Sequence, residues 1–366
     1  VRVRTLWLQQ FRTYDAATLD CPPGVCVLWG PNGVGKTNVL EAIGYLSSLR
    51  SFRHAPVDAL VRVGADRAII RGEVLGDGRE VLIETDIARA GRNRVQLNRQ
   101  RVQGAAALGE ALRVTVFSPD DLDLVKGGPS LRRELVDDAA MAIRARDDAV
   151  RVEWEKVLRQ RNALLKQVGG RLDDSARITL EVWDAKAAET GTRLAELRSR
   201  TVSRLLPAVQ HAYADLGGSA HDVQVRYEPS WQGDLHEALV TARRDELRRG
   251  VTLVGPHRDD LHIVLNGLPA RTHASQGEQR CLALALRLAT HREVQQEHGS
   301  PPVLLLDDVF SELDPVRSAA LVRALPEGQA FLTTAGPLPE GIEVDEIVEV
   351  SPGSLRSDRG GATGSR

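Results

Sequence analysis

The chain has 366 residues, enough to bury a sizeable core and to form two or three domains. Apolar residues make up 42% and charged residues 27%, ordinary for a soluble globular protein; no apolar run approaches a membrane span, and the start lacks a signal-peptide core. A formal net charge of −2 argues neither for nor against a nucleic-acid partner, so any basic patch must be local, and three cysteines without metal-ligand clustering predict reduced thiols in a cytoplasmic protein.

An opening strand or hairpin precedes the apolar run Val25–Trp29, which reads as a buried strand. Apolar residues at 39, 40, 43, 46 and 49 then trace one face of a helix from Asn38 to Leu49. The turn between them, Gly30-x-x-x-x-Gly35-Lys36-Thr37, fits the P-loop pattern. An ordinary glycine turn is the plain alternative, but strand, motif and helix all agree on the P-loop. Backbone N–H groups without a nearby Cβ can curl around a phosphate, and the helix start faces the same anion. This predicts an ATP site built from Gly30, Pro31, Asn32, Gly33, Val34, Gly35, Lys36, Thr37 and Asn38. Lys36 supplies a charge to the phosphates and a catalytic contribution, and the Thr37 hydroxyl is a ligand for Mg²⁺.

Residues 57–118 read as β-rich: RAIIRGEVL and REVLIETDIA flank a GDGR turn, RNRVQLN follows, and RVTVF at 113–117 is a further strand. The segment RAGRNRVQLNRQR, 89–101, holds five arginines and no acid, on an expected hairpin. It is either a solvated charged face or a DNA-phosphate contact through Arg92, Arg94 and Arg99. With aromatics at 4%, a base-stacking platform is poorly supported, and backbone-directed duplex binding fits better.

From Leu131 to about Leu216 the pattern is helical, with Gly191 the main interruption after residue 175; VEWEKVLRQRNALLKQV and RITLEVWDAKAAE are expected to pack as a hairpin. Without sustained heptads this is a compact helical lobe, not a long coiled coil. His257 and Arg258 are read as structural. Near residue 251 α/β character returns. Ser275-Gln276-Gly277 opens an apolar helix and is, taken alone, a helix cap. The apolar run Val303–Leu306 reads as a central parallel strand ending in Asp307 and Asp308. Asp307 is the expected Mg²⁺ carboxylate, and Asp308 is placed to orient an attacking water. The Gly/Ser/Arg-rich stretch 351–366 is expected to be disordered.

In order, these motifs resemble an ABC-type ATPase head: P-loop, Ser-x-Gly before an apolar helix, strand-Asp-Asp, and Ser311-Glu312-Leu313-Asp314. The resemblance implies that Ser275, Gln276 and Gly277 form the signature motif and that Asp314 belongs to a D-loop. It further implies a homodimer sandwiching two ATPs, each between one chain's P-loop and the other's signature. The interval from Lys36 to Ser275 is too long for a transporter ATPase and too short for an SMC coiled coil. GPNGVGKTNVLEAI and LQQFRTY are similar to the SMC/RecF group; FSPDDLDLVKGGPSLRRELVD and GPHRDDL are similar to the RecF family.

The fold class implied is α/β, an ABC-type P-loop ATPase head with an antiparallel β subdomain and an inserted helical lobe. Its divisions are 1–118 and 251–350 for the head, 119–250 for the lobe and 351–366 for the tail. The function implied is ATP-dependent binding of gapped or junction DNA in repair, recombination and replication, with slow, DNA-stimulated ATPase activity and loading of RecA with RecO and RecR. A transporter ATPase and a non-hydrolysing ATP-binding scaffold are the competing readings. Three departures favour slow turnover. Asp308 stands where many such ATPases have Glu, no Q-loop glutamine is evident, and Thr333 or Thr334 would have to replace a γ-phosphate-sensing histidine.

Overall fold

A computed structural model describes residues 1–357 apart from 77, 103, 170–171 and 218–221. These residues fall into two compact units, the first built from Val1–Asp121, His211–Ser219 and Arg280–Arg366, the second from Leu122–Gln210 and Ala220–Gln279.

The first unit opens with a hairpin, β1 (Arg2–Phe11) and β2 (Tyr14–Asp20), followed by β3 (Val25–Trp29) and helix α1 (Lys36–Ser48). Next come β4 (Arg67–Gly76), β5 (Arg79–Ala88), β6 (Arg94–Leu97), β7 (Gln100–Arg101), the short α2 (Ala106–Ala111) and β8 (Val114–Phe117). β4 and β5 pair antiparallel about the expected turn. They belong to a six-stranded antiparallel sheet of order β2-β1-β4-β5-β6-β7.

Three helices open the second unit: α3 (Asp123–Lys126), α4 (Pro129–Ile143) and α5 (Asp148–Val168). The 44-residue α6 (Asp174–Gly217) runs unbroken through Gly191. Gly191 is a close-packing position and not an interruption: a Cβ there would lie 2.6 Å from a Leu235 methyl and 3.0 Å from the Trp154 ring. The expected α5–α6 hairpin forms, with Glu153 pairing to Lys186 and Arg193 while Arg161 pairs to Asp184. β9 (Val223–Glu228), α7 (Leu235–Arg249), β10 (Asp260–Leu265), β11 (Leu268–Pro269) and α8 (Ala270–His273) complete the unit. The lobe therefore does not end at 250. β10 pairs antiparallel with β9, and that ladder keeps residues up to Gln279 with the helices. Arg161, with no exposed surface, is held by Asp184, Glu246 and Thr252 at 2.6–2.8 Å, a fully paired buried network.

Helix α9 (Gln276–His298) leads back to the first unit, which closes with β12 (Val303–Asp307), α10 (Pro315–Ala324), β13 (Ala330–Thr334), β14 (Glu346–Ser351) and β15 (Ser354–Ser357). The second six-stranded sheet has the order β15-β14-β3-β13-β12-β8, parallel except for β15 at its edge. The expected tail is thus ordered through Ser357. Pro352-Gly353 forms the tight turn of a hairpin, with Gly353 at φ 74°, so a turn signal was read as a disorder signal. Residues 358–366 lie outside the described residues.

Helix α1 lies between the two sheets of this unit, in one core with Leu6, Leu8 and Ile70 on one side and Leu28, Leu305 and Phe331 on the other. Its polar centre is Glu41, which is fully buried and receives both Arg12 (2.6 and 2.7 Å) and Ser51 (2.5 Å).

A second buried polar group makes the first unit sensitive to acid. His291 of α9 is 1% exposed, and one ring nitrogen meets the Thr115 hydroxyl at 3.1 Å. Burial, reinforced by the neighbouring Arg292, pushes its pKa down from 6.5 to about 4. The unfolded chain therefore binds a proton between these values that the folded chain rejects, and stability falls as pH drops from 6.5 toward 4. Relative to His291→Gln, the wild type should lose up to ~3 kcal/mol across that window, measured by urea unfolding at stepped pH. A parallel loss in both proteins would refute this assignment.

Candidate nucleotide-binding site

Gly30, Gly33 and Gly35 all have positive φ (156°, 82° and 113°). At Gly30 a Cβ would lie 2.4 Å from the Val350 carbonyl oxygen, and at Gly35 it would lie 2.8 Å from the Thr13 hydroxyl, so neither position admits a side chain. Gly33 instead faces open space. Helix α1 has no side-chain cap and no acidic residue in its first turn. Its first N–H groups are thus left for an anion. Lys36 is only 7% exposed and donates to the carbonyl oxygens of Gly30 (2.6 Å) and Pro31 (2.9 Å). Burial lowers its pKa, opposed by Asp308 and Asp307.

The β1–β2 turn braces this loop. The Tyr14 hydroxyl donates to Gly35 O at 3.0 Å, Asn38 donates to the Thr13 hydroxyl at 3.0 Å, and Arg12 holds Glu41. LQQFRTY and the Asn38/Glu41 pair are therefore two halves of one contact. Asn38 acts here as a brace, while Pro31 and Asn32 are exposed and Val34 is half-buried.

Sheet order brings the distant carboxylates to the same end. β13 lies between β3 and β12 and pairs Thr333 with Asp307. Asp307 Oδ1 accepts hydrogen bonds from Thr37 and Thr333, both at 2.8 Å. Burial raises its pKa, opposed by those two hydroxyls and by the charge of Arg53. Asp308 sits in the left-handed region (φ 48°), and its N–H donates to Thr333 Oγ1 at 2.9 Å. Thr333 is thus fully engaged within the strand-end turn, and Thr334 accepts from Gly336 N–H. Both hydroxyls offered for γ-phosphate sensing are thus engaged in the strand-end turn. Sequence reasoning missed Thr333 as the group that holds both acids, because only strand register reveals it. It also missed Arg53, whose guanidinium reaches Asn38 Oδ1 at 3.5 Å.

The donor set suits Mg²⁺: a hydroxyl and a carboxylate 2.8 Å apart, leaving the remaining positions to water and phosphate oxygens. Of the other expected residues, Ser275 and Asp314 have local partners. Ser275 Oγ and N–H both bond Glu278, and Glu278 N–H returns to Ser275 Oγ at 3.3 Å, a capping box at the start of α9. Ser275 and Gln276 are exposed, and Gly277 is half-buried. Asp314 caps α10, accepting from Arg317 N–H at 2.9 Å, which holds its carboxyl below the usual range. Arg92, Arg94 and Arg99 are all exposed, on and beside β6.

The model of the RecF/RecN/SMC N-terminal domain family matches residues 2–335. A DNA replication and repair protein RecF from Acidothermus cellulolyticus is 41% identical over 343 residues, covering 90% of this chain and 92% of its own. The chain belongs to the RecF family. Two solved structures of the recombination mediator protein RecF in the RecFOR pathway, one with ATP and one with ATPrS, superpose on this RecF-family chain with TM-scores of 0.89 and 0.88. Their identities are 29% and 28%, and the match covers 97% of this chain and 97% and 98% of theirs. An Smc head domain from Pyrococcus furiosus is similar in fold (TM-score 0.55, 17% identity, covering 97% of this chain and 95% of that one). The fold is thus an ABC-type head of the RecF/SMC kind.

Because Thr333 meets Asp307 and the Asp308 backbone at once, Thr333→Val should cost ~1–3 kcal/mol in the nucleotide-free protein, while Thr333→Ser stays near wild type. Denaturant unfolding measures both, and an unperturbed valine variant would show that the turn holds itself.

Proposed function

We propose that this chain is an ATP-gated DNA-binding protein of DNA repair and recombination, acting in the cytoplasm as a slow ATPase. Membership of the RecF family supports this. So does the convergence of Thr37, Asp307 and Thr333 beside an uncapped P-loop helix, the single observation that carries the reading. On this reading the P-loop from Gly30 to Asn38 wraps ATP, with the backbone N–H groups between Asn32 and Thr37 turned to the phosphates, and Lys36 turns from the loop carbonyls to the phosphates. Thr37 and Asp307 hold Mg²⁺, which when bound offsets phosphate charge. Asp308 orients a water for in-line attack on the γ-phosphorus. Its short side chain makes turnover slow.

Two chains close on ATP, with Ser275, Gln276, Gly277 and Asp314 of each meeting the nucleotide of the other. The closed dimer binds duplex or junction DNA through basic residues that include Arg92 and Arg94. Binding stimulates the ATPase, and the dimer acts with RecR and RecO in loading RecA.

Equilibrium ATP binding and turnover measured on two variants test the site. Lys36→Met should lose ATP binding, giving up a charge-assisted contact worth ~1.5–3 kcal/mol. Asp308→Asn should keep ATP, turn over far more slowly and accumulate dimer. Normal ATP affinity in a folded Lys36→Met protein would overturn the site, and normal turnover in Asp308→Asn would move the water-orienting role elsewhere.

Ser275→Arg tests the closed dimer. It should leave ATP binding to the monomer intact and block dimerisation with a non-hydrolysable ATP analogue, read by sedimentation. A variant that dimerises normally would exclude contact through the partner's signature.

A further inference from the structure

The five arginines of 89–101 do different jobs. Arg89 is structural: its guanidinium donates to the carbonyl oxygens of Ala65 (2.9 Å) and Arg62 (2.7 Å). Asn93 pins the same loop by accepting from Ala88 N–H at 3.0 Å. Asn98 fixes the β6–β7 turn through paired bonds with the Leu82 backbone, both 2.8 Å. The hairpin is therefore anchored by residues other than its remaining arginines.

On β5, the strand beside β6, the outer-face acids Glu84 and Asp86 are already taken. Glu84 pairs with Arg71 and Asp86 with Arg67, on the β4 side. Arg94 lies opposite Asp86 in the β5–β6 ladder, but the carboxylate is engaged by Arg67. Among the described residues, no hydrogen bond or ion pair engages the guanidinium of Arg92, Arg94 or Arg101. These three, with Arg67, Ala88 and Ala90, line an open basin of about 370 Å³ at the β7 edge. Arg99 sits on the β6–β7 turn with φ 66° and is not part of the lining.

We propose that this basin is a seat for the sugar–phosphate backbone of duplex DNA, with Arg92, Arg94 and Arg101 as the phosphate ligands. Planar guanidinium groups match phosphate oxygens in pairs. Two alanines and no aromatic line the floor, so the basin has nothing on which a base could stack and reads charge, not sequence. The proposal rests on the DNA-binding function above and differs from the sequence expectation in taking Arg101 in place of Arg99.

The test titrates duplex DNA against the full-length protein, held with a non-hydrolysable ATP analogue and Mg²⁺, at several salt concentrations. The combined Arg92→Ala/Arg94→Ala/Arg101→Ala variant should lower the slope of log K against log salt by about 2.7 for each basin that DNA engages, at about 0.9 per lost phosphate contact. The corresponding triple lysine variant should restore most of that slope, and Arg99→Ala should match the wild type. ATP affinity should be equal in all four proteins, which certifies folding. A wild type that bound no DNA would overturn the function and the basin together. A wild type that bound DNA, with an alanine triple of unchanged slope or an Arg99→Ala loss as large as the triple's, would overturn the basin alone.

Discussion

The structure of the first unit depends on one constraint: the helix that follows the P-loop is enclosed by two sheets. A helix buried on all sides must satisfy any polar group it carries, and α1 carries Glu41 at its centre. Arg12 and Ser51 supply the partners. Removing one side of such a pair costs ~3–5 kcal/mol, because the other charge stays buried. The same requirement draws the β1–β2 turn over the loop, where Thr13 and Tyr14 bond Asn38 and Gly35. Burial of one carboxylate thereby fixes the backbone shape of the anion site.

The strongest sequence signals were local. The P-loop glycines, the strand before them and the Asp307-Asp308 strand end each announce themselves within a few residues, since each is a backbone geometry or a burial pattern. What escaped was non-local. Thr333 is legible only through the β12–β13 register, and Gly191 only through the Trp154 and Leu235 side chains that crowd it. The boundary near 250 slipped because β9 and β10 are separated by a helix and find each other only in space. Pro352-Gly353 misled for a different reason: the same residues favour a hairpin turn and a disordered tail, and only a pairing partner decides between them.

Ser275 illustrates why a bland reading and a functional one need not compete. Its hydroxyl closes a capping box with Glu278, the ordinary way to satisfy a helix start. That box also holds an exposed hydroxyl and helix N–H groups in a fixed direction. On the proposed reading, a phosphate from a second chain would take the place of the Glu278 carboxylate at the same donors, one anion exchanged for another.

Such exchanges recur through the site and bear on its rate. Lys36 is satisfied by loop carbonyls, Thr37 donates to Asp307, and Asp307 is held above its usual pKa by burial, with two hydroxyls and the charge of Arg53 against it. Each group has a serviceable partner before any nucleotide arrives, so the loop keeps its shape without collapsing. On the proposed reading Lys36 gives up its carbonyls to meet phosphate, while the Thr37 hydroxyl can offer a lone pair to the cation and still donate to Asp307, so ligand affinity is reduced by what the Lys36 bonds were worth. A site built this way favours a ligand that meets all three groups at once over one that meets a single group. That is the behaviour expected of a switch that responds to a nucleotide with its cation, where occupancy matters more than turnover.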